Sequence, residues 1–252
     1  MTASGLRPRL RHLALWLALA LPALVSQAQV ADLCGNLANN YGPWDYRDWK
    51  DLPYTDPVTK QDTPLALVDG AHFIPSCEQL IKCKRSTIGG DIDYTLRAFP
   101  NHHRALIAML RYSQRLKMEQ PPDARFTMEC YFKRALRFRA DDAIARMIYV
   151  NYLKDGNRAE DARVQLRETE RVVQEKIAED AGKANPFTLY NIGLLAMELG
   201  ELDMAERNAR QSYALGMGRT ELRDKLRAAG REIEPAAAAA SASPAASAAS
   251  RP

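Results

Sequence analysis

Hydrophobic and polar positions alternate with a helical period through much of the second half of the chain. Leu106, Met109, Leu110 and Leu116 fall on one side of a predicted helix, with Arg104, Arg111 and Lys117 elsewhere around it. A second helix is predicted over Arg125 to Phe138, with Met128, Tyr131, Ala135 and Phe138 as its apolar stripe. Residues 142–154 and 159–180 give two more, separated by the stop signal Gly156. Asn185-Pro186 is a helix start, because Asn accepts from free amides and proline suits the first turn. That helix ends near Gly200; Met204–Leu215 and Thr220–Ala229 complete a series of antiparallel pairs with the last helix unpaired.

Before this series, Ala31 to Phe99 reads as loop-rich. Tyr41-Gly42-Pro43, Leu52-Pro53, Asp56-Pro57, Thr63-Pro64, Asp69-Gly70, Ile74-Pro75 and Gly89-Gly90 are turn signals at short intervals. Only short helices near Ser76–Lys84 and Asp93–Ala98 are expected between them. The aromatics of this stretch, Trp44 and Trp49 with Tyr41, Tyr46, Tyr54, Phe73, Tyr94 and Phe99, suit packing of an irregular segment onto a helical body. Pro235 to Pro252, rich in Ala, Ser and Pro, offers no apolar anchor and reads as a disordered tail. The expected organisation is therefore a loop-rich segment over 29–99, helices over 100–230 and a tail over 231–252.

Small residues recur at Gly193, Gly200, Ala205 and Ser212, after Leu189-Tyr190-Asn191-Ile192 and around Leu194-Leu195-Ala196. Gly193 and Ala205 are placed where two helices cross, Gly200 turns the chain, and Ser212 admits a neighbouring unit. This pattern resembles the tetratricopeptide repeat, a helix–turn–helix module of about 34 residues, with Leu189 and Ala196 replacing its usual tryptophan and tyrosine. Two weaker units precede it: Tyr131 to Phe138 with Ala135 as the small position, then Tyr152, Gly156, Ala162 and Thr169. The resemblance implies an all-α solenoid of about three hairpins, closed by a capping helix over Thr220–Ala229. It also implies a groove lined by the first helix of each pair, which nominates Arg104, Arg111, Tyr149, Tyr152, Tyr190, Asn191 and Leu194 for a protein or peptide partner. In the amino-terminal half, Cys34-Gly35, Tyr41-Gly42-Pro43, Ala71-His72-Phe73 and the stretch from Asp93 to Ala105 resemble a group of exported proteobacterial repeat proteins.

Residues 1–28 change the reading of the charge and the cysteines. Arg7, Arg9 and Arg11 precede the apolar run Leu13 to Val25, and Ser26-Gln27-Ala28 supplies small residues for cleavage after Ala28. The run is too short to span a bilayer of about 30 Å, so the segment reads as an export signal and the remaining chain as periplasmic, or secreted, without a membrane span. Without these arginines the formal charge of +4 falls to +1, which gives no general argument for nucleic acid. An oxidising compartment makes Cys34, Cys77, Cys83 and Cys130 disulfide candidates with three connectivities open. One of these closes the short Cys77–Cys83 segment and ties Cys34 to Cys130. No paired Cys-x-x-Cys or haem-attachment pattern is present.

Candidate chemistry is sparse. His72, His102 and His103, with Asp91 or Asp93, are an alternative metal or small-ligand set; the plainer reading has Asn101 capping a helix and a histidine bonding to the packed loop. Asp91 and Asp93 also fit turn chemistry after Gly89-Gly90, and no catalytic motif appears, so neither an enzyme nor a cofactor is expected. Between Arg97 and Arg139 the sequence holds ten basic and three acidic residues, while Ala31 to Leu96 carries a balance of −4. Arg97, Arg104, Arg111, Arg115, Arg134, Arg137 and Arg139 are either covered by that acidic segment or open to an acidic peptide or an anionic cell-envelope polysaccharide.

Overall fold

The computed structural model describes residues 34–233, so the expected export signal over 1–28 and residues 234–252 of the expected tail lie outside the described residues. Among the described residues the chain is all-α: ten α-helices, two 3-10 turns and no named strand. None of these helices is long and apolar enough to cross a membrane. The chain divides into two compact units at Ala140/Asp141. The boundary expected at 99/100 instead falls inside the first unit, because the loop-rich segment and the following helices are bonded into one another.

The first unit holds a 3-10 turn over Tyr46–Asp48 and helices α1 (Pro64–His72), α2 (Pro75–Glu78), α3 (Ile88–Ala98), α4 (His103–Leu116) and α5 (Met128–Phe138). Helix α1 was not expected. Thr63-Pro64, read as a turn, is a helix start in which the Thr63 side chain accepts from the Ala66 amide at 3.2 Å and Pro64 sits in the first turn. Of the stretch expected near Ser76–Lys84, only Pro75–Glu78 is helical. Helix α3 begins earlier than expected, at Ile88, because Thr87 caps Gly90. Gly89-Gly90 is thus the first turn of a helix. A Cβ on buried Gly89 would lie 1.9 Å from the Pro122 carbonyl, so only glycine lets that backbone approach.

Tyr46, Leu65, Val68, Ala98 and Phe99 form a core with Tyr41, Trp44, Trp49 and Tyr94 packed around it. The aromatics do pack onto the helices, and the Trp44 amide donates to the Ala98 carbonyl at 2.9 Å. In α4, Leu106, Met109 and Leu110 are buried as expected, but Leu116 in the last turn is exposed. Ser113 takes the inward position instead and donates to the Met118 carbonyl at 2.6 Å. Of the three connectivities left open, the structure has Cys34–Cys130 and Cys77–Cys83 as disulfides.

The second unit holds α6 (Ala143–Asp155), α7 (Ala159–Glu179), a 3-10 turn over Ala181–Lys183, α8 (Pro186–Glu198), α9 (Leu202–Ala214) and α10 (Glu221–Ala228). Asp142 caps α6 and Asn185 caps α8, each accepting from two backbone amides. Gly200, at φ +76°, turns α8 into α9. Helices α6 and α7 are antiparallel: Asp141 at the start of one meets Lys176 at the end of the other at 2.9 Å, and Arg146 donates to Gln165 at 2.8 Å. Helices α8 and α9 are antiparallel as well, Ser212 donating back to the Pro186 carbonyl at 2.8 Å. Between the hairpins like runs beside like. Lys154 of α6 pairs with Glu198 of α8, while Glu170 and Gln174 of α7 bond Arg207 and Gln211 of α9 at a constant separation of 37.

Gly193 approaches Ala205 as expected, but its tightest neighbour is different. A Cβ there would stand 3.4 Å from the Ala205 carbonyl and 2.5 Å from Leu222 Cδ2. The glycine therefore seats α10 more than it seats α9. Beyond α10, Arg231 pairs with Asp203 and Glu206, and Ile233 is buried. The first residues assigned to the tail thus belong to the fold.

Candidate functional site

Within the first unit, the loop-to-helix junction is built on His102. Its Nδ1 accepts from the Ala105 amide at 3.2 Å, which makes it, and not Asn101, the cap of α4. Nε2 then carries the proton and donates to Asp69 Oδ1 at 3.2 Å. The ring is fully buried, stacked on Tyr46 at 4.1 Å between centroids, with Phe73 edge-on at 5.1 Å. Burial pushes the His102 pKa below its ordinary value, outweighing the Asp69 bond that acts to raise it. Tyr54, half-exposed, donates its hydroxyl to the other Asp69 oxygen at 3.3 Å.

Asn101, freed from capping, accepts from the Tyr46 amide at 3.0 Å and donates to Asp45 at 2.7 Å. Burial alone would raise the Asp45 carboxyl. Hydrogen bonds from Arg47 and Asn101 override it and hold the group at about 2. His102, one of the three histidines expected to hold a ligand, is therefore saturated by the fold. Both His102 nitrogens are engaged inside the protein, leaving no lone pair for an ion.

His72 belongs to a separate cluster. Its Nδ1 lies 2.9 Å from Asp91 Oδ1, and its ring stacks on Tyr94 at 3.9 Å. The other Asp91 oxygen accepts from the Arg85 and Ser86 amides at 2.9 and 3.1 Å. Asp93 accepts from the Tyr131 hydroxyl at 2.6 Å, the Arg125 amide at 3.2 Å and Arg97 Nε at 2.9 Å. Burial and this carboxylate together push the Tyr131 hydroxyl far up.

The expected His72, His102 and His103 set does not assemble. His103 lies against Tyr46 instead, and the one metal-compatible grouping among the described residues is Cys77, Cys83 and Asp91, whose sulfurs are joined in the disulfide.

The arginine-rich stretch is largely covered. Arg134 is buried and donates to the Cys34 and Asn36 carbonyls at 2.9 and 2.6 Å, its guanidinium 4.3 Å from the Phe126 ring. Arg137 donates to the Gly35 carbonyl, Arg139 pairs with Asp45 at 3.1 Å, and Arg97 reaches Asn39 at 2.9 Å. Arg104 pairs with Glu78, with its Nε at 2.9 Å from the carboxylate. Arg115 reaches the Leu80 carbonyl of the same segment at 3.4 Å, which leaves Arg111 as the one member of the expected positive face with no hydrogen bond or ion pair among the described residues. The burial of Arg134 was readable, since it stands three residues after Tyr131 and one before Ala135, inside the apolar stripe of α5.

In the second unit, Tyr149 and Tyr190 are buried, Tyr152 and Leu194 are half-buried and Asn191 is exposed. Tyr149 stacks with Tyr152 at 6.1 Å. Tyr190 cannot offer its ring to a partner. Arg104 and Arg111 stand in the other unit, so the seven nominated residues do not form one site within either. Two exposed apolar residues were missed, Ile144 in the first turn of α6 and Phe187 in the first turn of α8; Arg219 lies over the Phe187 ring at 5.6 Å. A large apolar residue two positions after a capping Asp or Asn was the available signal.

Two open clefts lie elsewhere. One, of about 370 Å³, lies beside Cys34–Cys130 and is lined by Phe126, Glu129 and Lys133; the other, of about 310 Å³, lies among the paired side chains of α7 and α9. No family model, curated protein or solved structure matches this chain.

Proposed function

We propose that the chain is an exported tetratricopeptide-like scaffold that holds a protein or peptide partner along α6 and α8. The observation that carries this reading is the stacking of the α6/α7 and α8/α9 hairpins with like helices parallel, capped by α10. That arrangement leaves the first helix of each pair with Asn191 exposed, Leu194 and Tyr152 half-buried, and Ile144 and Phe187 open at the helix starts. A surface mixing amide, aliphatic and aromatic groups along adjacent parallel helices suits an extended or helical peptide. Cys34–Cys130 and Cys77–Cys83 fit an oxidising, extracytoplasmic compartment, and the periplasm is the compartment the amino-terminal arginines and apolar run favour.

A photoreactive residue placed at Asn191 should crosslink one protein partner in the exporting cell, whereas the same residue at Arg207 on α9 should not. Leu194→Arg should abolish that adduct with helicity unchanged by circular dichroism. Equal adducts from both positions, or none, would remove the assignment.

A further inference from the structure

The cations of the second unit are mostly matched. Arg163, Arg167, Arg171, Lys176, Arg207, Arg210, Lys225, Arg227 and Arg231 each face a carboxylate within 4 Å. One corner of the first unit is different. Lys82, Lys84 and Arg85 follow the tip of the Cys77–Cys83 loop, Arg111 and Arg115 stand on α4, and among the described residues none of the five has an ion pair.

The geometry brings the loop that carries Lys82 against α4, while Lys84, just beyond it, donates to the Gly70 carbonyl at 3.0 Å. Arg104, Arg111 and Arg115 form one stripe along α4 by helical spacing. Arg104 bonds Glu78 at the foot of the loop, and Arg115 donates to the Leu80 carbonyl at 3.4 Å, so Arg111 lies between two anchors. Arg104 chiefly, with Arg111 adding to the field, holds the Glu78 carboxyl below its ordinary range.

The loop itself is rigid. Leu80 takes φ +59°, the Ile81 and Lys82 amides donate to the Ser76 carbonyl, and Ser76 Oγ donates to the Lys82 carbonyl at 2.7 Å. Leu80 turns inward while Ile81, next to it, is 69% exposed. Leu116 and Met118, at the end of α4 beside Arg115, are exposed too. A branched aliphatic side chain held out at a rigid tip, bordered by unmatched cations, has no partner within the described chain.

We propose that this corner docks on an anionic lipid bilayer, with the cations on the headgroups and Ile81 entering the interface. A bilayer supplies both halves of what the corner lacks: negative charge, and apolar depth within a few ångströms of it. An acidic polysaccharide supplies the charge alone and gains nothing from an exposed isoleucine.

The test is co-sedimentation of the full chain, with Arg7, Arg9 and Arg11 replaced by glutamine so that the amino-terminal basic run adds no charge of its own, on phosphatidylcholine vesicles with and without phosphatidylglycerol over a salt series. Leu13 to Val25 is itself apolar, so the reading is the increment that phosphatidylglycerol adds. That increment should fall with salt and drop by roughly tenfold or more in Lys82→Glu with Arg111→Glu. It should also fall several-fold in Ile81→Ser, which leaves the charge unchanged, with the far-ultraviolet circular dichroism of both variants preserved. No increment overturns the proposal. So does an increment that Ile81→Ser leaves intact while dissolved polygalacturonate competes it away, an outcome that assigns the corner to polysaccharide.

Discussion

His102 combines three roles in one ring: it caps α4, donates to Asp69, and fills the space between Tyr46 and Phe73. Its pKa lies below the ordinary 6.5 in the folded chain, so the unfolded chain binds a proton first as pH falls. The stability this contributes is complete above 6.5 and is lost as pH drops from there towards the folded value. Asp45, ordinarily 3.8 and held at about 2, adds a second loss at lower pH with the same sign. His102→Asn keeps a capping oxygen but not the bond to Asp69. In urea titrations above pH 6.5 it should cost about 1–3 kcal/mol, and the gap from the parent should narrow as pH falls below 6.5. Parallel pH profiles would show that His102 does not titrate on unfolding. At this scale the sequence pointed to a histidine bonded to the packed amino-terminal segment, as His102 is through Asp69, but assigned the cap to Asn101. Neighbouring His and Asn residues both fit a cap, and only the Tyr46 amide, which is 55 positions from Asn101, decides which of them is diverted.

At the level of elements, Gly193 joins three helices. Gly193→Ala forces its new methyl against Leu222 and should cost about 1–2 kcal/mol. In a Leu222→Ala background most of that cost should disappear, a non-additivity that chemical denaturation of the four chains measures directly. Strictly additive effects would mean that α10 is not what the glycine accommodates. Helices α6 to α9 were legible because caps, glycine turns and apolar periodicity agree along them. The stretch before Phe99 was not, because its signals have two readings. A Thr-Pro pair begins a helix as readily as a turn, and what selects helix α1 is burial of Leu65 and Val68, three residues apart, against Tyr46 and Phe99. Gly89-Gly90 reads as flexible until the Pro122 carbonyl is seen lying where a side chain would be.

For the molecule as a whole, the two disulfides differ in what they hold. Cys34–Cys130 bridges a separation of 96 and Cys77–Cys83 a separation of 6. The chain-entropy model gives about 4–5 kcal/mol for the first and about 2 kcal/mol for the second. Replacing both cysteines of the long bridge by serine should therefore cost about twice as much as replacing those of the short one. In hydrogen exchange the loss of protection should fall on residues 34–140 and leave α6 to α9 unchanged; equal losses, or a loss spread into α6, would contradict the division into two units. The separation of the units at Ala140 was not legible in the sequence. The helical period runs on across that point, and it is Arg134, spent on the carbonyls of Cys34 and Asn36, that draws α5 towards the amino terminus. The pairing is also nested, the short bridge lying inside the long one. In a chain threaded out of the cell amino end first, Cys34 meets oxidant with Cys77 as the next thiol to emerge, long before Cys130. Oxidation in order of arrival would join the wrong sulfurs. Under the export proposed above, the native pairing would then require either that Cys34 stays reduced until residue 130 has crossed or that an early bond is exchanged afterwards, and maturation would depend on the thiol chemistry of the receiving compartment.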